Sequence, residues 1–306
     1  MGIGEWSALL AALLWTLSSM IWGRIRLSAI TINLAKNIIG VVLILAHLAL
    51  FASFTDREMF QAPWSSWGTL GLSGLIGIVI GDTMYFRSLQ ILGPRRALMM
   101  ATTSPLFAAA LAFAFLGEEL PFFAVLGICL AVCGVIVVVA DRKANKEAPG
   151  LLPGSLRRGV ALGIIGSICQ AIGGVFSKKG LVGAEGENLC DPIEATFIRL
   201  LFAALATMLV MSVGRKLVKE LRITFSWEML RLLIPATAVG TWLGIWLSQV
   251  GYQRAHNVAI AQTLMSTCPL FAIPIVWVLH KHRVTALSVI GTIVAVLGIF
   301  LTVYEG

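Results

Sequence analysis

From Trp6 onward the chain alternates apolar runs of about twenty residues with short stretches that carry charge, Pro and Gly. An α-helix rises about 1.5 Å per residue, so a run of about 20 apolar residues reaches across the hydrocarbon core of a bilayer. Bounding the runs at charges, Pro and Gly predicts ten spans, at 6–23, 30–52, 67–90, 95–116, 121–140, 158–177, 193–213, 229–253, 257–279 and 284–303. The expected fold class is an all-α membrane protein. The first run lacks a basic leader and a small-residue cleavage signature, so it reads as a retained helix. The connection at 141–157 is rich in Pro, Gly and charge and divides the chain nearly in half. The expected organisation is a first unit at 1–140, a linker at 141–157 and a second unit at 158–306.

The two halves repeat. At a constant offset of 164, Ala97, Thr103, Pro105, Leu106, Phe107, Ala108, Gly127, Ala131 and Gly134 recur as Ala261, Thr267, Pro269, Leu270, Phe271, Ala272, Gly291, Ala295 and Gly298. Apolar bias alone does not readily place Pro-Leu-Phe-Ala and a Gly/Ala/Gly pattern in one register. Further upstream Lys36 corresponds to Arg199 at a slightly different offset. Five spans per half is an odd number, so the second half enters the membrane in the opposite sense, which makes the pair an inverted repeat.

Composition agrees with this reading. Of 306 residues 58% are hydrophobic and 12% charged, and the mean hydropathy is +0.91, outside the range of a soluble domain. A formal charge of +8 raises the question of nucleic acid, but the basic residues sit in short connections where membrane topology accounts for them. The connections after the odd-numbered spans hold seventeen Lys and Arg, including Arg24, Arg26, Arg87, Arg95, Arg96, Lys281 and Arg283, against Arg57, Lys178, Lys179 and Arg254 on the other side. The positive-inside rule then places both termini outside the cytoplasm. Five scattered cysteines imply neither a disulfide frame nor a metal site.

The duplicated five-helix unit, the segment SPLFAAALAFAFLGEEL at 104–120 with GICLAVCGVIVVV at 127–139, and the echoes CPLFAIPIVWVL and GTIVAVLGIFL resemble the EamA-type transporters of the drug/metabolite transporter superfamily. The resemblance covers essentially the whole chain. It implies a multi-pass carrier in the cell (inner) membrane that moves small metabolites, often outward, through a cavity shared by the two halves. It also implies cytoplasmic termini, opposite to the charge count. The second half departs from the pattern, with His280-Lys281-His282-Arg283 where the first has Leu116-Gly117-Glu118-Glu119. That swap weakens any role for a Glu pair.

Polar residues inside the spans are the candidates for chemistry. Asp82 lies about fifteen residues into its span, where a carboxylate costs about 2.5–3.5 kcal/mol unless it faces protein or water. It reads equally as a structural anchor and as a proton or substrate group. Tyr85 shares its face at i+3, while Arg87 falls about 140° away. Trp246 is the repeat mate of Asp82, and Trp242, Trp246 and Gln249 form one helical stripe that reads either as packing or as cavity wall. Lys36 and Arg199 sit about six residues inside their spans and either snorkel to the headgroups or face a cavity. In the cavity case they favour an anionic or carboxylate-bearing substrate. Gln170 is a further cavity candidate, and His47 has no visible partner.

Pro105 and Pro269 are the strongest matched pair. Each removes an amide donor in mid-span, after Thr102, Thr103 and Ser104 in one half and Ser266, Thr267 and Cys268 in the other. Matched interruptions point to a binding region at the repeat interface, against the plainer reading of a shared packing kink. No Walker loop, metal-ligand cluster or Ser-His-Asp set occurs. The sequence therefore predicts a secondary carrier without a cofactor, not an enzyme, for a small solute such as an amino acid or related compound, with Asp82 as the candidate for proton coupling. The rival reading is a membrane enzyme, channel or structural protein reusing the fold.

Overall fold

The computed structural model describes residues 1–54, 60–93, 97, 100–140, 155–215, 217–272, 275 and 285–304. Arg57, Arg95, Arg96, Pro274, His280, Lys281, His282, Arg283 and most of the 141–157 linker lie outside the described residues. The described chain is helical, with no strand beyond an isolated bridge between Val182 and Asn188. The first half contains α1 (Ile3–Trp22), α2 (Ala29–Phe54), α3 (Trp64–Leu92), α4 (Ser104–Leu116) and α5 (Phe122–Ala140). The second contains α6 (Leu156–Leu181), α7 (Pro192–Val213), the short α8 (Leu217–Thr224), α9 (Trp227–Arg254), α10 (Val258–Met265) and α11 (Ala286–Tyr304). Six of these, α1, α2, α3, α6, α7 and α9, are long and apolar enough to cross a membrane. The helices of spans four, five, nine and ten are shorter apolar segments.

Local chemistry sets the helix ends. Asp191 caps α7 by accepting the Ile193 N–H at 2.9 Å, with Pro192 at the first helical position. Ser155 caps α6 through the Arg158 N–H. Gly117 ends α4 in the left-handed region at φ +65°, where a side chain is strained. The outer surface carries Phe113, Phe115, Leu209, Val213 and Phe300, all more than 60% exposed. A water-soluble protein would not leave such a surface uncovered, whereas lipid solvates it.

Contacts between the halves come in matched pairs. α1 packs on α9, and its counterpart α6 packs on α3; α1 meets α10, and α6 meets α4; α2 packs on α7. Residues 127–134 of α5 lie against 291–302 of α11 in antiparallel order. A Cβ on Gly127 would sit 2.7 Å from the Gly298 carbonyl, and one on Gly134 would sit 2.6 Å from the Gly291 carbonyl. Exchanging the two halves maps this contact onto itself. The sequence reads Gly127/Ala131/Gly134 and its echo as packing residues, and these backbone approaches show what they pack against.

Two features of the helices differ from simple spans. α3 is π-helical over Gly74–Asp82, and α9 is π-helical over Ala238–Leu243. Gly74 and Ala238 are repeat mates, so both wide turns begin at the same place in each unit. Spans four and nine are broken: the chain turns at Thr102-Thr103 and at Ser266-Thr267 before helix resumes. Pro105 and Pro269 thus stand just after interruptions and not at simple packing kinks, because each proline opens a new helical turn.

Candidate functional site

The wide turn in α3 shapes the site. A π-helical register bonds i to i+5, which widens the turn and leaves nearby carbonyls short of donors. Side-chain amides from neighbouring helices make up the deficit. Asn33 of α2 donates to the carbonyls of Ile78 (2.7 Å) and Val79 (3.2 Å) and to the Thr83 hydroxyl (2.9 Å). Gln170 of α6 donates to the Gly77 carbonyl at 3.1 Å. In the second half the Trp15 indole N–H donates to Gly240 O at 2.8 Å, within the other wide turn. Glycine lets these helices close in: a Cβ on Gly74 would fall 2.4 Å from the Arg199 carbonyl oxygen.

Asp82 ends the wide turn of α3. Its Oδ2 lies 2.8 Å from Lys36 Nζ, and its Oδ1 accepts from Gln170 Nε2 at 2.6 Å. Lys36 also donates to Asn37 Oδ1 at 3.1 Å, and Asn37 donates to Asn33 Oδ1 at 3.1 Å. One network therefore joins α2, α3 and α6. The Lys36 side chain is 4% exposed, so it is buried and does not snorkel, and Asp82 has the partner that the cost of an intramembrane carboxylate requires.

A second cluster faces it. Arg199 of α7 is buried, its Nε has no hydrogen-bond partner, and among the described residues no carboxylate lies within ion-pair distance. The Tyr252 hydroxyl donates to Gln262 Oε1, Gln262 Nε2 donates to Ser104 Oγ at 2.9 Å, and Ser104 donates to the Ser167 carbonyl at 3.1 Å. Ser104 stands at the broken end of span four, so the break supplies a polar group to this chain of bonds. Cys268, its repeat mate, offers its carbonyl to Thr16 Oγ1 at 2.9 Å.

Between the clusters lies a cavity of about 190 Å³. Of the residues singled out in the sequence, Lys36, Asp82, Tyr85, Thr102, Ser104, Gln170, Arg199, Ser266, Cys268 and Pro269 line it. Thr103, Pro105, Thr267, Trp246 and Gln249 do not. Thr103 and Thr267 instead turn back onto Met100 O (2.7 Å) and Leu264 O (2.6 Å), closing the two breaks in the same way. The tryptophan stripe is packing: Trp246 meets His47 edge-on at 5.2 Å, and Trp242 donates to His47 Nδ1 at 3.2 Å. That corrects two readings together, since His47 has partners and Trp246 is turned away from the cavity that its mate Asp82 lines. Gln249 is fully buried beside Ser248. Trp15, Ser18, Trp22, Tyr252 and Gln262 also line the cavity, and sequence reasoning passed over them. Tyr252 and Gln262 had a signal, being polar groups in apolar runs.

Polar bonds secure one end of the bundle. Glu118 accepts the Val258 N–H at 2.9 Å at the start of α10, Lys178 donates to Ala255 O at 3.1 Å, and Gln253 donates to Cys190 O at 2.9 Å. Burial raises the Glu118 carboxyl above its ordinary 4.5, although the Val258 N–H works the other way. Burial likewise pushes the Cys190 thiol up. Glu118 therefore has a defined structural place without a Glu in the second half. Among the described residues no group of His, Cys, Asp or Glu could hold a metal ion.

The model of the EamA-like transporter family matches residues 2–140 and again 157–304. The chain belongs to this family. No curated protein matches it. Among 29 matching chains of solved structures, one described as "Crystal structure of protein" is 18% identical, covers 97% of this chain and 95% of its own, and superposes with a TM-score of 0.68. At that identity the likeness concerns the fold. Membership of the EamA-like family, together with the apolar helices, makes the chain an integral membrane protein of a transporter family.

Proposed function

We propose that this EamA-like protein is a secondary-active transporter of ten spans. Two inverted five-helix repeats, 1–140 and 158–306, move a small metabolite such as an amino acid or related organic solute across the cell (inner) membrane, in the outward direction. The observation that carries the reading is the make-up of the cavity wall. It draws on α1 to α4, α6, α7, α9 and α10, with nothing from α5, α8 or α11. The two fifth helices pack on each other instead, so the same four spans of each unit face a shared space, the placement from which rocking of one unit on the other exposes a site to each side in turn. The antiparallel seam of α5 and α11 and the matched wide turns support the inverted relation. The cavity is below the roughly 300–1,000 Å³ of sites for drug-sized ligands, which suits a small solute.

Asp82 is the group we assign to proton coupling, because its carboxylate bridges α2, α3 and α6 through Lys36 and Gln170. Purified protein in liposomes loaded with unlabelled solute tests the function. A carrier shows saturable uptake of labelled solute driven by counterflow. Unsaturable or conductive flux would replace the reading with a channel, and no flux across a broad screen of amino acids, organic acids and sugars would remove it.

A further inference from the structure

The cavity wall holds Asp82, Lys36 and Arg199, and their pairing is unequal. Asp82 is engaged on both oxygens, by Lys36 at 2.8 Å and Gln170 at 2.6 Å. Arg199 lines the same cavity, is 5% exposed, and has neither an ion-pair partner among the described residues nor an acceptor for its Nε. The Tyr252 hydroxyl nearby is already committed to Gln262. A buried cation left in this state is costly unless an anion completes it. A carboxylate suits it best, because guanidinium offers paired N–H donors in the plane that a carboxylate accepts.

The same bookkeeping says what the site lacks. A substrate ammonium is held most strongly by an acceptor of opposite charge, and the carboxylate in the cavity wall is the one held by Lys36. An amino acid would have to displace that lysine, leaving a second buried cation without a partner. Part of the remaining wall is apolar and aromatic, with Trp22 and Phe86 packed at 5.9 Å between centroids and Ile78 and Ile245 beside them, and the rest carries neutral hydroxyl and amide groups such as Ser104, Tyr252 and Gln262. We propose that the cavity selects small organic monoanions, a carboxylate bound by Arg199 with an apolar tail against these side chains, over zwitterions or cations of the same skeleton. This rests on the reading of the cavity as a solute site, and among the organic solutes named above it favours carboxylic acids over amino acids.

Equilibrium binding to the purified full-length protein in detergent tests it without requiring transport. The probes share one skeleton: 4-methylpentanoate, leucine and 4-methylpentylamine. The expected result is saturable binding of 4-methylpentanoate at least tenfold tighter than leucine, with no binding of the amine. Arg199→Gln should lose at least tenfold for the carboxylate, and Arg199→Lys should recover part of it. Because Arg199→Gln can compromise folding, the three-probe series on the unaltered protein stands by itself. Leucine or the amine binding as tightly as the carboxylate, no binding of any probe, or unchanged affinity in a folded Arg199→Gln protein would overturn the proposal. Monoanion binding without counterflow would instead remove the transporter reading, and counterflow of leucine in preference to 4-methylpentanoate would remove this one alone.

Discussion

Asp82 illustrates how far a single residue constrains the molecule. A carboxylate in an apolar run is costly enough that a partner can be inferred before any coordinates exist, and Lys36 and Gln170 supply it. Replacing Asp82 with Asn should abolish the pH dependence of transport, and it should also destabilise the protein by about 3–5 kcal/mol, because Lys36 is left buried without its counter-ion. Flux measured against pH in proteoliposomes checks the first effect, and the double variant Asp82→Asn, Lys36→Met should recover much of the second. Unchanged flux with an unchanged profile would leave the pair a purely structural tie. Charged groups were legible in the sequence for this energetic reason. Trp15, Ser18 and Trp22 were not, since an aromatic or hydroxyl side chain at helical spacing costs little in lipid or in protein and so announces nothing about which way it faces.

At the scale of elements, the sequence marked the breaks but not the wide turns. A proline after a run of Thr and Ser removes a donor and is visible as text, and the chain does turn at Thr102-Thr103 and Ser266-Thr267. A π-helical register leaves no comparable mark, because it depends on which neighbours bring side-chain N–H donors to the extra carbonyls, here Asn33, Gln170 and Trp15. It also re-aims the residues that follow relative to those before it, so a helical wheel at 100° per residue does not decide whether Trp246 faces the cavity. The seam between α5 and α11 gives a quantitative test. Gly134→Ala places a Cβ 2.4 Å from the Ala295 amide nitrogen, so the helices must separate, at a cost of about 1–3 kcal/mol. Gly68→Ala in α3, where nothing lies within 4 Å, should instead be neutral or stabilising by up to about 1 kcal/mol. Melting temperatures of both variants in detergent check the contrast.

The tie from Glu118 to α10 adds a dependence on pH. Because the folded protein holds the Glu118 proton more firmly than the unfolded chain, the associated stability is present below the ordinary carboxyl value of 4.5 and is lost as pH rises through the raised value. Glu118→Gln should flatten that part of the stability profile, which thermal unfolding measured from pH 4 to 8 would reveal. A steeper loss in the variant would reverse the assignment.

At the scale of the whole molecule, the repeat in the sequence and the matched contacts in the structure describe the same object. Every major packing contact of the first unit has a counterpart in the second, and the four lining helices of each unit meet around one cavity. At two departures from symmetry, Asp82 against Trp246 and Glu118 against His282, the first unit carries a carboxylate and its mate does not. Cys268 gives the most direct test, since it lines the cavity while remaining 9% exposed. In a variant that keeps Cys268 and replaces the other four cysteines, a charged, membrane-impermeant methanethiosulfonate should modify it when applied to either side of sealed, oriented vesicles, and modification should stop flux. Reaction from one side only, or no reaction from either side in a protein that still transports, would contradict a cavity opened to each face in turn.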